Sequence, residues 1–138
     1  MIQRIQSVYL FLGALLVGAL GFFNVIWTSA ASQMLAWFRP AVLGAGALVI
    51  IVALIAIFLY RDRKRQLKTV VALQGLLIVF LLVLIAGLYM GGTLDRVPGN
   101  MPLIIALVLP VLAYIMFWLA RKGIEKDIAL VRSMDRLR

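Results

Sequence analysis

Arg61-Asp62-Arg63-Lys64-Arg65-Gln66-Leu67-Lys68, followed after Thr69 by the run Val70-Val71-Ala72-Leu73-Gln74-Gly75-Leu76-Leu77-Ile78-Val79-Phe80-Leu81-Leu82-Val83-Leu84-Ile85-Ala86-Gly87-Leu88-Tyr89-Met90, decides how the chain is read. Crossing a hydrocarbon core of about 30 Å takes about 20 apolar residues in a helix. This run supplies them with no Asp, Glu, Lys, Arg or His. Three more such runs flank it, Ile5–Trp27, Pro40–Tyr60 and Met101–Ala120, and none carries an ionisable acid or base. Backbone amides in lipid need internal partners, so runs of this length are helices unless they close as a barrel. Barrel strands alternate polar with apolar residues, and these runs do not.

The composition agrees. The 138 residues are 65% hydrophobic, with a mean hydropathy of +1.11, well above the roughly 45–50% apolar usage of soluble domains. We therefore expect an all-α polytopic membrane protein with four transmembrane helices in a bundle. Residues 1–120 form the membrane domain, with spans at about 5–27, 40–60, 70–90 and 101–120, and residues 121–138 form a cytoplasmic amphipathic tail. The first run is longer than the roughly 7–15 residue core of a signal peptide, so it reads as a retained helix despite the small residues Ser29-Ala30-Ala31.

Of the 14 Lys and Arg residues, all but Arg39 and Arg96 fall on one side of this pattern, near Arg4, across Arg61–Lys68 and beyond Ala120. The positive-inside rule then puts both termini and the basic connector on the cytoplasmic side. The net charge of +9 thus has a topological explanation, and nucleic acid is not an expected partner. The bilayer is, with anionic headgroups expected at Arg61, Arg63, Lys64, Arg65 and Lys68. Trp27, Trp37, Phe38 and Tyr89 suit the outer interface, with Met34–Phe38 as an interfacial turn, while Tyr60, Tyr114 and Trp118 suit the inner one.

Helices associate in lipid through close van der Waals contact, which small residues permit. At 100° per residue, Gly18 and Gly21, Ala45 and Ala53, Gly75 and Ala86, and Ala106, Pro110 and Ala113 form stripes expected to face the bundle core or another subunit. Pro110 removes the amide that would meet the Ala106 carbonyl and is expected to bend its helix.

The chain lacks Cys and His, which removes disulfides, thiolate chemistry and the commonest haem and zinc ligand. All five acids, Asp62, Asp95, Glu125, Asp127 and Asp135, lie outside the spans, so the buried carboxylate on which ion-coupled exporters depend is missing. No nucleophile sits with a base, and we expect no catalytic residue, metal or cofactor. Gln74 and Asn24 are the most polar side chains within the runs and are expected to hydrogen-bond between helices or reach headgroups.

Beyond Ala120, Ile124, Ile128, Leu130, Val131, Met134 and Leu137 occupy about half of a helical wheel, and Asp127 and Asp135 intrude on that apolar side. Such a helix lies on a membrane or docks a partner. The opening Met1-Ile2-Gln3-Arg4-Ile5-Gln6-Ser7-Val8-Tyr9-Leu10 and the ending Asp127-Ile128-Ala129-Leu130-Val131-Arg132-Ser133-Met134-Asp135-Arg136-Leu137-Arg138 resemble a family of small four-helix membrane proteins of Bacteroidota-type bacteria, defined only as a domain of unknown function. The resemblance implies an inner-membrane location and supplies no activity. Both ends are cytoplasmic on this topology, so Gln3, Arg4 and Gln6 are expected to meet Asp127, Arg132 and Asp135. Together with Val131 and Arg136 these residues form the expected docking set.

The expected role is a non-catalytic accessory or scaffolding subunit of a larger membrane complex. The alternatives are a homo-oligomeric transporter or channel and an anionic-lipid-binding protein. Because the chain has no Cys, single-cysteine labelling reads its topology directly. Lys64→Cys and Lys126→Cys are expected to react only with a reagent that reaches the cytoplasm, and Gln33→Cys and Asn100→Cys with an impermeant reagent added outside; the reverse pattern inverts the topology.

Overall fold

The computed structural model describes residues 2–135, the side chains of 2–4, 96, 134 and 135 excepted. Its helices are α1 (Ile2–Ala19), α2 (Asn24–Trp27), α3 (Ala30–Met34), α4 (Phe38–Phe58), α5 (Arg63–Met90) and α6 (Met101–Asp135). Short 3-10 turns lie at Leu20–Phe22, Leu59–Arg61 and Leu94–Arg96, and no strand occurs among the described residues. Four segments are long and apolar enough to cross a membrane: Ile5–Phe22, Phe38–Arg61, Arg63–Met90 and Met101–Ser133.

The four long helices stand in a ring, each packed on two neighbours: α1 on α4 and α6, and α5 on α4 and α6. Chain direction alternates around it, so one end gathers the start of α1, the α4–α5 hairpin and the tail of α6. The opposite end carries α2, α3 and the α5–α6 connector.

A seam with a 3.5-residue period explains the packing. On α5 the buried positions Gln66, Val70, Leu73, Leu77, Phe80, Leu84 and Gly87 alternate steps of four and three. On α6 Leu103, Ala106, Pro110, Ala113, Phe117, Ala120, Ile124 and Asp127 do the same, and so do Gln6, Leu10, Gly13 and Val17 on α1, with Leu20 in the turn that follows it. This spacing keeps one narrow line facing the bundle axis over its whole length and favours left-handed, coiled-coil-like packing. Phe38, Phe80 and Phe117, all fully buried, are the largest knobs, and each is seated over a glycine on a neighbouring helix. Phe117 lies on Gly13, Phe38 on Gly87 and Phe80 on Gly46; a Cβ at Gly13 or Gly87 would overlap the facing ring, and one at Gly46 would stand 3.4 Å from Phe80.

The expected small-residue stripes divide between the core and the exterior. Ala53, Ala106, Pro110 and Ala113 are buried, Ala45 packs against the core, and α6 runs unbroken through Pro110. Gly18 is only partly covered, its nearest neighbour being Ile50, while Gly21, Gly75 and Ala86 face the exterior. On α5 the large residues set the inward phase, which turns Ala72, Gly75 and Ala86 outward.

Three expected boundaries also move. The first long helix stops near Phe22 rather than Trp27, because Phe23 turns extended (φ −86°, ψ 92°) and the Trp27 indole donates to the Gly21 carbonyl at 3.0 Å. Ser29, Ser32 and Thr28 satisfy backbone carbonyls locally, which suits short turns better than a continuing helix. Phe38 is no interfacial anchor: it begins α4 and is fully buried, while the turn expected at Met34–Phe38 is present between α3 and α4, closed by the Phe38 amide on the Leu35 carbonyl at 3.1 Å. The basic connector is largely helix. Asp62 caps α5, its Oδ1 accepting from the Arg65 amide at 3.1 Å, so Arg63 to Lys68 already lie in the first two turns. Beyond Ala120 α6 continues without interruption, and Ile124 and Asp127 extend its seam.

Two closures hold the other end. Gly92 (φ 62°) ends α5 in a Schellman turn, with the Thr93 amide on the Leu88 carbonyl at 2.9 Å and the Gly92 amide on the Tyr89 carbonyl at 3.0 Å. Ala31 of α3 packs so closely on Gly91 that a Cβ there would strike its backbone at 2.5 Å. Unfolding in detergent micelles checks the seams: Gly13→Ala and Gly87→Ala are expected to cost about 1–3 kcal/mol by overpacking, whereas Gly75→Ala, whose new methyl meets open space, is expected to cost nothing.

Candidate functional site at the basic end of the bundle

The seams of α1 and α6 both end in polar residues, and the two meet. Gln6 Nε2 donates to Asp127 Oδ2 at 2.9 Å, with both residues buried. Gly123, one turn before Asp127, makes the approach possible, since a Cβ there would lie 2.9 Å from Gln6 Cγ. From the start of α5, Arg63 Nη1 stands 3.8 Å from Asp127 Oδ2 and donates to the Asp127 carbonyl at 3.3 Å. One carboxylate thus ties three helices. Around it, Gln66 Nε2 donates to the Ala56 carbonyl at 3.0 Å and joins α5 to the end of α4.

A second polar group lies between α5 and α6. Arg121 pairs with Glu125 at 2.8 Å and donates to Gln74 Oε1 at 3.4 Å, so Gln74 does bond between helices. The buried Gln74 Nε2 has no partner among the described residues. Lys122 rests over the Trp118 ring at 3.8 Å, which holds that ring at the boundary where aromatic and basic residues change over.

Below the hairpin, Arg61, Arg63 and Lys64 face Ile128, Val131 and Arg132 across an open cleft of about 860 Å³. Asp62 lines it too, but its carboxylate is engaged by Arg65, with Nε to Oδ2 at 3.0 Å. Cations beside an apolar wall can hold an anionic group that carries an apolar part.

Of the expected anion-contact residues, Arg61, Arg63 and Lys64 line this cleft, while Arg65 is turned to Asp62 and Lys68 lies apart. In the expected docking set, Gln6 and Asp127 are buried against each other, which removes them from any outer surface. Val131 and Arg132 are exposed on α6. The side chains of Gln3, Arg4 and Asp135, and the whole of Arg136, lie outside the described residues. The clasp member that the sequence hides is Arg63, one cation among five in its segment; its only distinguishing signal is its place one turn before Gln66 on the α5 seam.

The architecture is that of an all-helical four-helix bundle compatible with a multi-pass membrane protein. Residues 2–137 match the family described as "Domain of unknown function (DUF4293)", and the chain belongs to that family. No curated protein and no solved structure matches it.

A double-mutant cycle tests the clasp. Asp127→Ala is expected to destabilise the bundle by about 1.5–3 kcal/mol, the range for hydrogen bonds to charged groups. Gln6→Ala is expected to cost less in the Asp127→Ala background than alone, read from unfolding curves in the same micelles.

Proposed function

We propose that this chain is a non-catalytic protein of a bacterial inner membrane, with both termini cytoplasmic, and that it serves as an accessory or scaffolding subunit of a larger membrane assembly. One observation carries this reading. The outward face of α5 bears Ala72, Gly75, Val79, Leu82 and Ala86, repeating on the exterior the three-and-four spacing of the buried seams. Burial of leucine gains nothing in lipid, so small residues at this spacing favour close approach of another helix.

The charge distribution supports the orientation: the hairpin cations and those of the α6 tail share one end, and Arg39 begins the bundle's other end. The exposed Val131 and Arg132 on the tail remain free to contact a cytoplasmic segment of such a partner.

Extraction in mild detergent, followed by mass spectrometry, tests the reading. A membrane protein is expected to co-purify in constant proportion, and Gly75→Leu is expected to reduce its recovery about tenfold while leaving the unfolding temperature unchanged. Recovery as a lone monomer overturns the proposal. Recovery as a homo-oligomer disrupted by Gly75→Leu replaces it with the transporter or channel reading.

A further inference from the structure

The cleft between the start of α5 and the tail of α6 is arranged against its own electrostatics. The first turn of α5 holds Arg63, Lys64 and Arg65 and no acid, although the positive end of a helix favours negative charge. The nearest acid, Asp62, is spent on Arg65 and on the cap. Across the cleft, Arg132 adds another cation. Among the described residues, Arg61, Lys64 and Arg132 have no acidic partner, and Arg63 bonds only through Nη1, leaving Nη2 and Nε open. Arg63 is also fixed in place: its side chain is 33% exposed, held by the buried Asp127. A guanidinium fixed in this way is suited to the forked geometry of a phosphate.

The walls indicate the molecule that bears the phosphate. Ile128 and Val131 make one side apolar. Arg61 lies three residues past Phe58, the last residue of α4, or about 6 Å further along the axis at the rise of a 3-10 turn. With the end of α4 taken as the edge of the hydrocarbon core, that is headgroup depth, since headgroups add roughly 5–7 Å beyond each edge. Phe58, 76% exposed, and Tyr60, 51% exposed, carry the apolar exterior down to the level of the hairpin. A soluble anion has no use for this continuity, whereas a lipid has its glycerol and chains to place there. We propose that this cleft binds the phosphate of an anionic lipid headgroup, with Arg61, Arg63, Lys64 and Arg132 as its cations and Ile128 and Val131 against its apolar part. The site shares Val131 and Arg132 with the tail surface considered above, but it does not rest on the subunit role.

The test is a lipid titration of the purified full chain in non-ionic detergent, with bound lipid counted by native mass spectrometry. Phosphatidylglycerol is expected to bind in preference to phosphatidylcholine. Lys64→Ala with Arg132→Ala is expected to weaken phosphatidylglycerol binding about tenfold, while Lys68→Ala with Lys126→Ala, which removes the same charge outside the cleft, is expected to change it less than about twofold. Equal losses in the two double variants, or equal binding of the two lipids by the unaltered chain, overturn the site. Binding of inorganic phosphate as tight as that of phosphatidylglycerol overturns the assignment to a lipid. Should the cleft variant fail to unfold at the temperature of the unaltered chain, Lys64→Gln and Arg132→Gln are measured singly against the same expectation.

Discussion

Phe117 occupies the space that Gly13 leaves open, and the position of α1 along α6 follows from that fit. Surrounded by hydrocarbon, two helices gain little by hiding leucine from leucine; they gain by dispersion, which falls away within a fraction of an ångström of separation. A ring seated on a bare backbone brings two helices close along a single register, and a slip of one residue puts the ring on a side chain. Phe38 on Gly87 and Phe80 on Gly46 repeat the device between α4 and α5. Two of the four sides of the ring are therefore keyed by shape, and the alternation of chain direction does the rest.

Where the seams leave the apolar zone, their chemistry changes and their geometry does not. Gln6 and Asp127 occupy the same inward phase as Leu10 and Ile124 one turn away. A polar residue at such a position is satisfied only by the right partner, so it specifies register more strictly than leucine does. Arg63 supplies the countercharge from a third helix and answers much of the cost of burying the carboxylate. The bundle is thus keyed by shape through its middle and by hydrogen bonding at its basic end.

The four spans were legible because the hydrocarbon requirement is one of length and composition, which any run such as Val70–Met90 displays alone. The meeting of Gln6 with Asp127 was legible too, since the charge pattern brings both ends to one side and Asp127 breaks an apolar stripe. Ring order and the role of Gly13 or Gly87 were not, because a glycine becomes a socket only when a particular ring on another helix faces it. Phe38 shows the same limit: next to Trp37 it looks interfacial, and only its contact with Gly87 makes it core. Which of the two expected sides Gly75 and Ala86 take was not legible, because small size alone does not say which side of a helix the large residues have claimed.

α6 has 35 residues, about 52 Å of unbroken helix at 1.5 Å per residue, against about 30 Å of hydrocarbon. The surplus projects from the basic end and is bolted to α1 and α5 through Asp127 before it leaves them. Mechanically it is a lever whose fulcrum lies at that clasp. A sideways load applied beyond Asp127 is opposed at the clasp and passes to the buried length of the rod, where Pro110 lacks the hydrogen bond that its neighbours have to resist it.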